Sequence, residues 1–279
     1  RAQFLSDQYD AAKTTLNRIL DVQPTNALAN RTLVELHMRR KDADAALSAA
    51  DKAAEVVPIL GLQLRAEVLR NTNRIDRAIE EMRAGMAKYG VSVLAQQTFR
   101  LLIEGKQKEE AKELLTSWLV DHPDDPEVLQ LLSSAQIRDE QYEAAAVYLE
   151  RAYSLLPNNP LTLNNLAWIR YELKRPGAVA VARRAYRLAP NNPAIADTLG
   201  WILVREGDVE EGLKLLYTAN EAAPNIGDIT YHLAFALEKS GKPQEAIAVL
   251  EPALKDGSEI AFDQDGDNAK ALLSKLKGG

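Results

Sequence analysis

The chain has no cysteine, so disulfides and thiolate metal sites are excluded. That absence fits an oxidising compartment without requiring one. Glycine (14) and proline (12) are sparse among 279 residues and no stretch is low in complexity, which excludes a disordered polymer. No apolar run approaches the roughly 18 residues that mark a membrane span. Bases do not dominate either: 34 Lys and Arg stand against 40 Asp and Glu, interspersed along the chain, for a net charge of −6. A nucleic-acid partner calls for a basic face, and none can be drawn. No HExxH, GxSxG, P-loop or GxGxxG arrangement occurs, so the common catalytic signatures are missing. The three histidines, His37, His122 and His232, lie far apart and read as structural, His122 as a solvated loop residue before Pro123. No catalytic residue, metal ligand or cofactor is predicted.

What is present is apolar and periodic. Hydrophobic side chains make up 46% of the chain, enough to bury a substantial core. One compact globule of this length would stand near the limit for a single core, so two domains or a solenoid are expected. Pro24, Pro58, Pro123, Pro157, Pro190 and Pro224 each follow an apolar helical stretch, at separations of 34, 65, 34, 33 and 34 residues. Gly90 divides the long interval into 32 and 33. Twelve residues before each of these markers sits a small residue: Ala12, Ala46, Ala78, Ala111, Ala145, Ala178 and Gly212. Five before come Ala53, Gly85, Ala152, Ala185 and Ala219, with Ile19 and Trp118 as exceptions. Small residues at fixed spacing are required where neighbouring helix backbones approach, because larger ones would overpack.

A period of about 34 residues with small residues on a second helix and a proline at its end resembles the tetratricopeptide (TPR) repeat. Later units add a Leu-small pair on the first helix: Leu132-Ser133, Leu166-Ala167, Leu199-Gly200 and Leu233-Ala234. The resemblance covers essentially the whole chain and implies an all-α fold, a right-handed superhelix of antiparallel helix pairs. Prolines end the second helices, and "PNNP" at 157–160 and 190–193 supplies asparagine caps with a proline opening the next helix. Residues 1–24 are read as a partial repeat, the last turn of one first helix plus its second helix. Seven units follow over 25–258, at 25–57, 58–90, 91–123, 124–157, 158–190, 191–224 and 225–258. Residues 259–279 form a linker and capping helix, Asn268 to Lys277, with Ala271, Leu272 and Leu276 on its inner side. The whole, 1–279, is read as a single solenoid. It opens at Arg1 inside a repeat, which marks it as a piece of a longer protein.

Beyond residue 158 the wording is more particular. "LTLNNLAWIRYEL" at 161–173, "NNPAIADTLGWILVREG" at 191–207, "ITYHLAFALEKSGKPQEA" at 229–246 and "DGDNAKALLSKL" at 265–276 resemble the C-terminal part of the TPR-repeat lipoproteins of exosortase/PEP-CTERM exopolysaccharide systems in Gram-negative bacteria. That resemblance implies a periplasmic, outer-membrane-attached protein that assists polysaccharide or protein export. Its lipid-bearing cysteine would lie upstream of this chain.

In a TPR array the first helices build the inner wall. Counting from the prolines places Ser134, Trp168, Trp201 and Phe235 on it. Gln130, Asn164, Asp197 and Tyr231 lie one turn before, and Ile137, Tyr171, Val204 and Glu238 one turn after. An aromatic ladder with hydrogen-bonding flanks suits an extended peptide or sugar rings. Two readings stay open for Trp168 and Trp201: platform for a ligand, or packing against adjoining helices. A chaperone-type carboxylate clamp does not fit. Asn165 holds one of its places, but the basic partners do not line up and Glu35 follows Arg31 where an asparagine is needed. "DQDGD" at 263–267 lacks the glycine and glutamate of an EF-hand and reads as a polar linker favouring a helix start. "KQKEEAKELL" at 106–115 reads as surface ion pairing. The function expected is a non-catalytic scaffold binding protein, peptide or polysaccharide. The alternative is the substrate-selecting TPR region of a larger enzyme whose catalytic domain lies elsewhere.

Overall fold

The computed structural model describes residues 2–255, 260, 262 and 265–278. Among them are sixteen α-helices and no β-strand. The chain divides into two compact units, Arg1–Val128 and Leu129–Gly279. The first holds α1 (Ala2–Val22), α2 (Ala27–Arg39), α3 (Ala43–Val56), α4 (Pro58–Asn71), α5 (Ile75–Tyr89), α6 (Ser92–Glu104) and α7 (Lys108–Asp121). Helix α8 (Pro126–Arg138) spans the division. The second unit continues with α9 (Tyr142–Leu155), α10 (Pro160–Glu172), α11 (Ala178–Leu188), α12 (Pro193–Glu206), α13 (Val209–Ala222), α14 (Gly227–Lys239), α15 (Pro243–Ala253) and α16 (Gly266–Gly278).

Local chemistry sets the helix starts. Asn26, Asp42, Asn159, Asn192 and Asp208 each accept a hydrogen bond from a backbone N–H in the following first turn, pairing donors the helix leaves orphaned. Pro58, Pro160, Pro193 and Pro243 open their helices, where a missing N–H costs nothing. Pro58 therefore starts α4 directly after α3, with only Val57 between, and does not merely end the helix before it. The turn inside each pair carries a left-handed residue at a fixed place: Lys41, Asn73, Lys106, Glu140, Lys174, Gly207 and Gly241. Their separations of 32, 33, 34, 34, 33 and 34 residues repeat the period of the proline markers.

In the first unit, α2 packs on both α3 and α4, and each helix from α1 to α6 packs on its successor. Ala46, Ala53, Ala78 and Ala111 are fully buried and Gly85 is buried with them. A Cβ on Gly85 would stand 2.1 Å from Leu62 Cδ2. Arg65 bridges α3 and α5 by pairing with Asp51 and, at 2.9 Å through both Nε and Nη2, with Glu81. Residues 2–22 form one unbroken helix, where a helix end followed by a second helix was expected.

In the second unit, α10, α12, α14 and α16 form one packed row, and α11, α13 and α15 lie between successive members. Ala145, Ala152, Ala185, Ala219 and Gly212 are buried. Ala178 is only half-buried, contrary to its expected place at a tight helix contact. Other second helices begin three residues before their small residue, but Pro176 and left-handed Gly177 (φ 86°) delay α11 until Ala178 itself. Ala182 takes over the contact at 1% exposure. The capping helix presents Ala269, Leu272, Leu273 and Leu276 to the core, while Ala271 faces solvent. Their i, i+3, i+4, i+7 spacing is that of a single apolar stripe.

Candidate binding groove

A groove of 1180 Å³ runs over the second unit at the C-terminal ends of α10 and α12. Trp168, Tyr171, Arg170 and Glu172 come from α10, and Trp201 and Arg205 from α12. His232 of α14 and Asp265, just before α16, complete the far wall. Of the twelve residues expected to line a binding wall, Trp168, Tyr171 and Trp201 reach this groove.

The others are placed as follows. Trp201, Tyr231 and Phe235 gather in one cluster, with ring centroids 5.8 Å apart for Trp201–Tyr231 and 5.1 Å for Trp201–Phe235. Trp201 and Tyr231 are buried at 7% and 8% exposure, and Phe235 is half-buried. Trp168 is half-buried, with its ring centroid 6.1 Å from that of Tyr171. The two tryptophans thus differ: Trp201 is largely core with an edge on the groove, and Trp168 shares its surface between core and groove. Asp197 is buried and held by His232. Glu238 binds Lys239 and Lys275, which ties it to the cap. Gln130 and Ser134 are half-buried on α8, and Ser134 accepts from Asn165 at 3.3 Å. The Oδ1 atom of half-buried Asn164 is enclosed without a hydrogen-bond partner.

Several groove residues lay outside the expected set, and three of them shape its chemistry. Arg205 places its guanidinium carbon 5.3 Å from the Trp201 ring centroid and 5.6 Å from that of Phe235. Such stacking orients the planar fork while leaving its N–H edges available. Arg205 lies four residues after Trp201, so the same helix face would have revealed it. The Glu172 carboxyl is raised above its usual range, first by burial and then by Asp265 and Glu140, with Arg205 acting in the opposite direction.

His232 is the third. Its Nδ1 lies 2.9 Å from both carboxylate oxygens of Asp197. Nε2 lies 3.2 Å from Asp265 Oδ2, an ion-pair contact without hydrogen-bond alignment. The indole of Trp201 stacks on the imidazole at 4.1 Å. Burial lowers the pKa of His232, but the two aspartates outweigh it and raise the value to about 9. Both ring nitrogens thus face carboxylates, which favour the charged imidazolium. The geometry supplies flat apolar faces, fixed cations and buried carboxylates, the parts of a recognition surface.

Comparisons with known proteins agree with the architecture. Residues 2–58 and 203–276 match tetratricopeptide-repeat family models. The chain contains tetratricopeptide repeats. Among solved structures, the chain is similar to the APC/C hetero-tetramer Cut9–Hcn1, with a TM-score of 0.66 and 14% identity over 98% of this chain and 54% of the other. It thus spans about half the length of that relative. A TPR protein from Parabacteroides merdae gives a TM-score of 0.61 at 11% identity, over 91% of this chain and 99% of the other. YrrB, a TPR protein with an unusual peptide-binding site, gives 0.51 at 18% identity, over 72% and 100%. At such identities the likeness is one of fold. No curated protein matches the sequence.

One minor expectation is corrected by the geometry. His122 is half-buried at the end of α7, stacked on Trp118 at 3.9 Å, and is not a solvated loop residue. Trp118, standing where other repeats carry a small residue, donates from Nε1 to Asp125 at 2.8 Å. Asp263 and Gln264 of "DQDGD" lie outside the described residues, while Asp267 pairs with Lys270 at 3.0 Å. No helix among the described residues is long and apolar enough to cross a membrane.

Proposed function

We propose that this TPR array is a non-catalytic scaffold that holds an extended segment of a partner protein in the groove between Trp168 and Arg205. One observation carries the reading: half-buried Trp168 and Tyr171 share the groove with Arg205, whose fork is stacked on Trp201 and Phe235. Aromatic and arginine side chains supply most of the affinity at protein interfaces. A proteinaceous ligand is the chemistry that such mixed surfaces accommodate, and YrrB offers a peptide-binding precedent on the same fold.

Within that reading, the wording of 161–173, 191–207 and 229–246 supports a setting in exopolysaccharide or PEP-CTERM protein export. The protein would be periplasmic and held at the outer membrane through an upstream lipidated segment. The units of 25–258 would act as one scaffold, closed by 259–279. Polysaccharide is the alternative ligand, because stacked rings also bind sugar faces.

Peptide arrays and a glycan array probed in parallel with the parent, Trp168→Ala and Arg205→Ala test this. Binding to peptides that drops about tenfold or more in both variants is expected. Peptide binding indifferent to both changes refutes the groove, and glycan binding alone transfers the site to polysaccharide.

A further inference from the structure

The Asp197–His232–Asp265 contact joins parts of the chain that no local sequence pattern connects. Asp197 is in the second turn of α12, His232 in the second turn of α14, and Asp265 in the segment leading into α16. All three side chains are well shielded, at 12%, 8% and 20% exposure. The backbone N–H of Asp265 also donates to Asp228 at 2.9 Å, so the same residue is held at two points on α14. Asn268 donates to Asp265 at 2.9 Å from the first turn of α16.

A buried imidazolium between two carboxylates is strongly favoured over a neutral imidazole facing the same pair, because each carboxylate left alone would be an uncompensated buried charge. The imidazole also forms one side of the stack that positions Trp201. Removing the segment before α16 would therefore take away a counter-charge and expose an edge of the aromatic cluster together.

We propose that His232 is a latch: as an imidazolium clamped between Asp197 and Asp265 it docks the capping helix onto the array, and its deprotonation releases the cap and opens the Trp201 wall of the groove. The latch does not depend on what the groove binds.

The charged surroundings are specific. From α12 the imidazole faces Asp197, and from the pre-α16 segment Asp265. On α14 itself Asp228 and Tyr231 are the nearby ionisable groups, while Arg205 of α12 and Glu172 of α10 act on Asp265 or Tyr231. Between α13 and α15, Tyr217 is spent on Glu245 at 2.8 Å. The outer end of the cap is held separately by Lys275–Glu238 at 2.8 Å and Lys277–Glu251 at 2.6 Å. Lys277–Glu251 is exposed on both sides and Lys275 is exposed, so these pairs contribute little, and the His232 contact is the buried charged tie of a cap that also packs through Ala269 and Leu272.

The Asp265 carboxyl is pushed up by burial, but His232 and Asn268 pull it below its ordinary value overall. For His232 the folded value lies above the unfolded one. Its contribution is full below about pH 6.5 and is lost as pH rises through about 9. For Asp265 the contribution is present at neutral pH and lost as pH falls through its lowered folded value.

The test uses the full chain. Imidazole NMR across pH 6–10, with His37→Gln and His122→Gln to assign the signals, reads the charge state of His232. Hydrogen exchange, corrected for intrinsic rate, reads the docking of α16. We expect His232 to be charged at pH 7.5. Protection of α16 should fall at least tenfold above pH 9, with α10 and α11 unchanged. His232→Gln and Asp265→Asn should each lower α16 protection about tenfold at pH 7, again leaving α10 and α11 protected. If His232→Gln loses the whole unit, Asp265→Asn decides, since its site is at the rim. A neutral His232 at pH 7.5, or α16 protection in Asp265→Asn equal to the parent, overturns the latch.

Discussion

Gly200 and Gly212 meet across α12 and α13 so closely that a Cβ on Gly212 would stand 2.6 Å from the carbonyl oxygen of Gly200. A Cβ on Gly200 would in turn meet Gly212 O at 2.9 Å and Leu216 Cγ at 2.8 Å. Backbone cannot retreat as a side-chain tip can. The pair lets the two helices lie nearer than alanine would permit, and α12 carries Trp201 and Arg205 on its way to the groove. Gly212→Ala should therefore separate the helices and cost about 1–3 kcal/mol, despite the higher helix propensity of alanine. Denaturant melts of the variant check this, and stability at or above the parent would refute the close contact.

The left-handed turn residues give an opposite expectation. Lys106 adopts φ 62° in the α6–α7 turn, a conformation costing an L-residue about 1–2 kcal/mol relative to glycine. Glycine also gains freedom in the unfolded chain, which offsets part of that relief. Lys106→Gly should raise stability by roughly 0.5–1 kcal/mol by these opposing effects. Lys108→Gly, two residues on and in the first turn of α7, should lower it. Thermal melting of the two variants side by side tests the turn assignment.

The tryptophans should separate on truncation. Trp201→Ala removes a ring buried at 7% exposure and should cost about 3–5 kcal/mol. Trp168→Ala, half-buried, should cost about half as much by the same reasoning while weakening ligand binding. Equal losses in the two melts would mean that both rings are core and that the groove lacks a separate aromatic platform.

Two histidines should titrate in opposite directions. His37 is buried, its Nδ1 lies 2.9 Å from the Tyr9 hydroxyl, and its pKa is lowered by burial first and then by Lys13. The unfolded chain then binds more protons than the folded one below about pH 6.5, so His37 withdraws stability as pH falls through that value. His232 withdraws stability as pH rises toward about 9. His37→Gln should flatten the acid limb of the stability profile and leave the alkaline limb, and His232→Gln the reverse. Denaturant melts from pH 5 to 10 on both variants show whether the limbs separate so.

The period, the helix content and the close-packing positions were legible in the sequence because each follows from local chemistry. A proline cannot continue a helix, an asparagine caps the next one, and a small residue recurs wherever backbones touch. These constraints act within about 34 residues and repeat, so the pattern at Ala46, Ala78, Ala111 and Ala145 reports directly on buried contacts. Where local chemistry shifted the register, the period misled: Pro176 and Gly177 delay α11 and leave Ala178 half-buried. Position along a helix also gave the aromatic residues near the groove, but not how deeply each was covered, since that depends on the neighbouring helices. Only the tertiary structure brought His232 between Asp197 and Asp265, 35 and 33 residues away along the chain. A charge pair carries no periodic signature, and its strength comes from the burial that packing of α12, α14 and the capping segment provides.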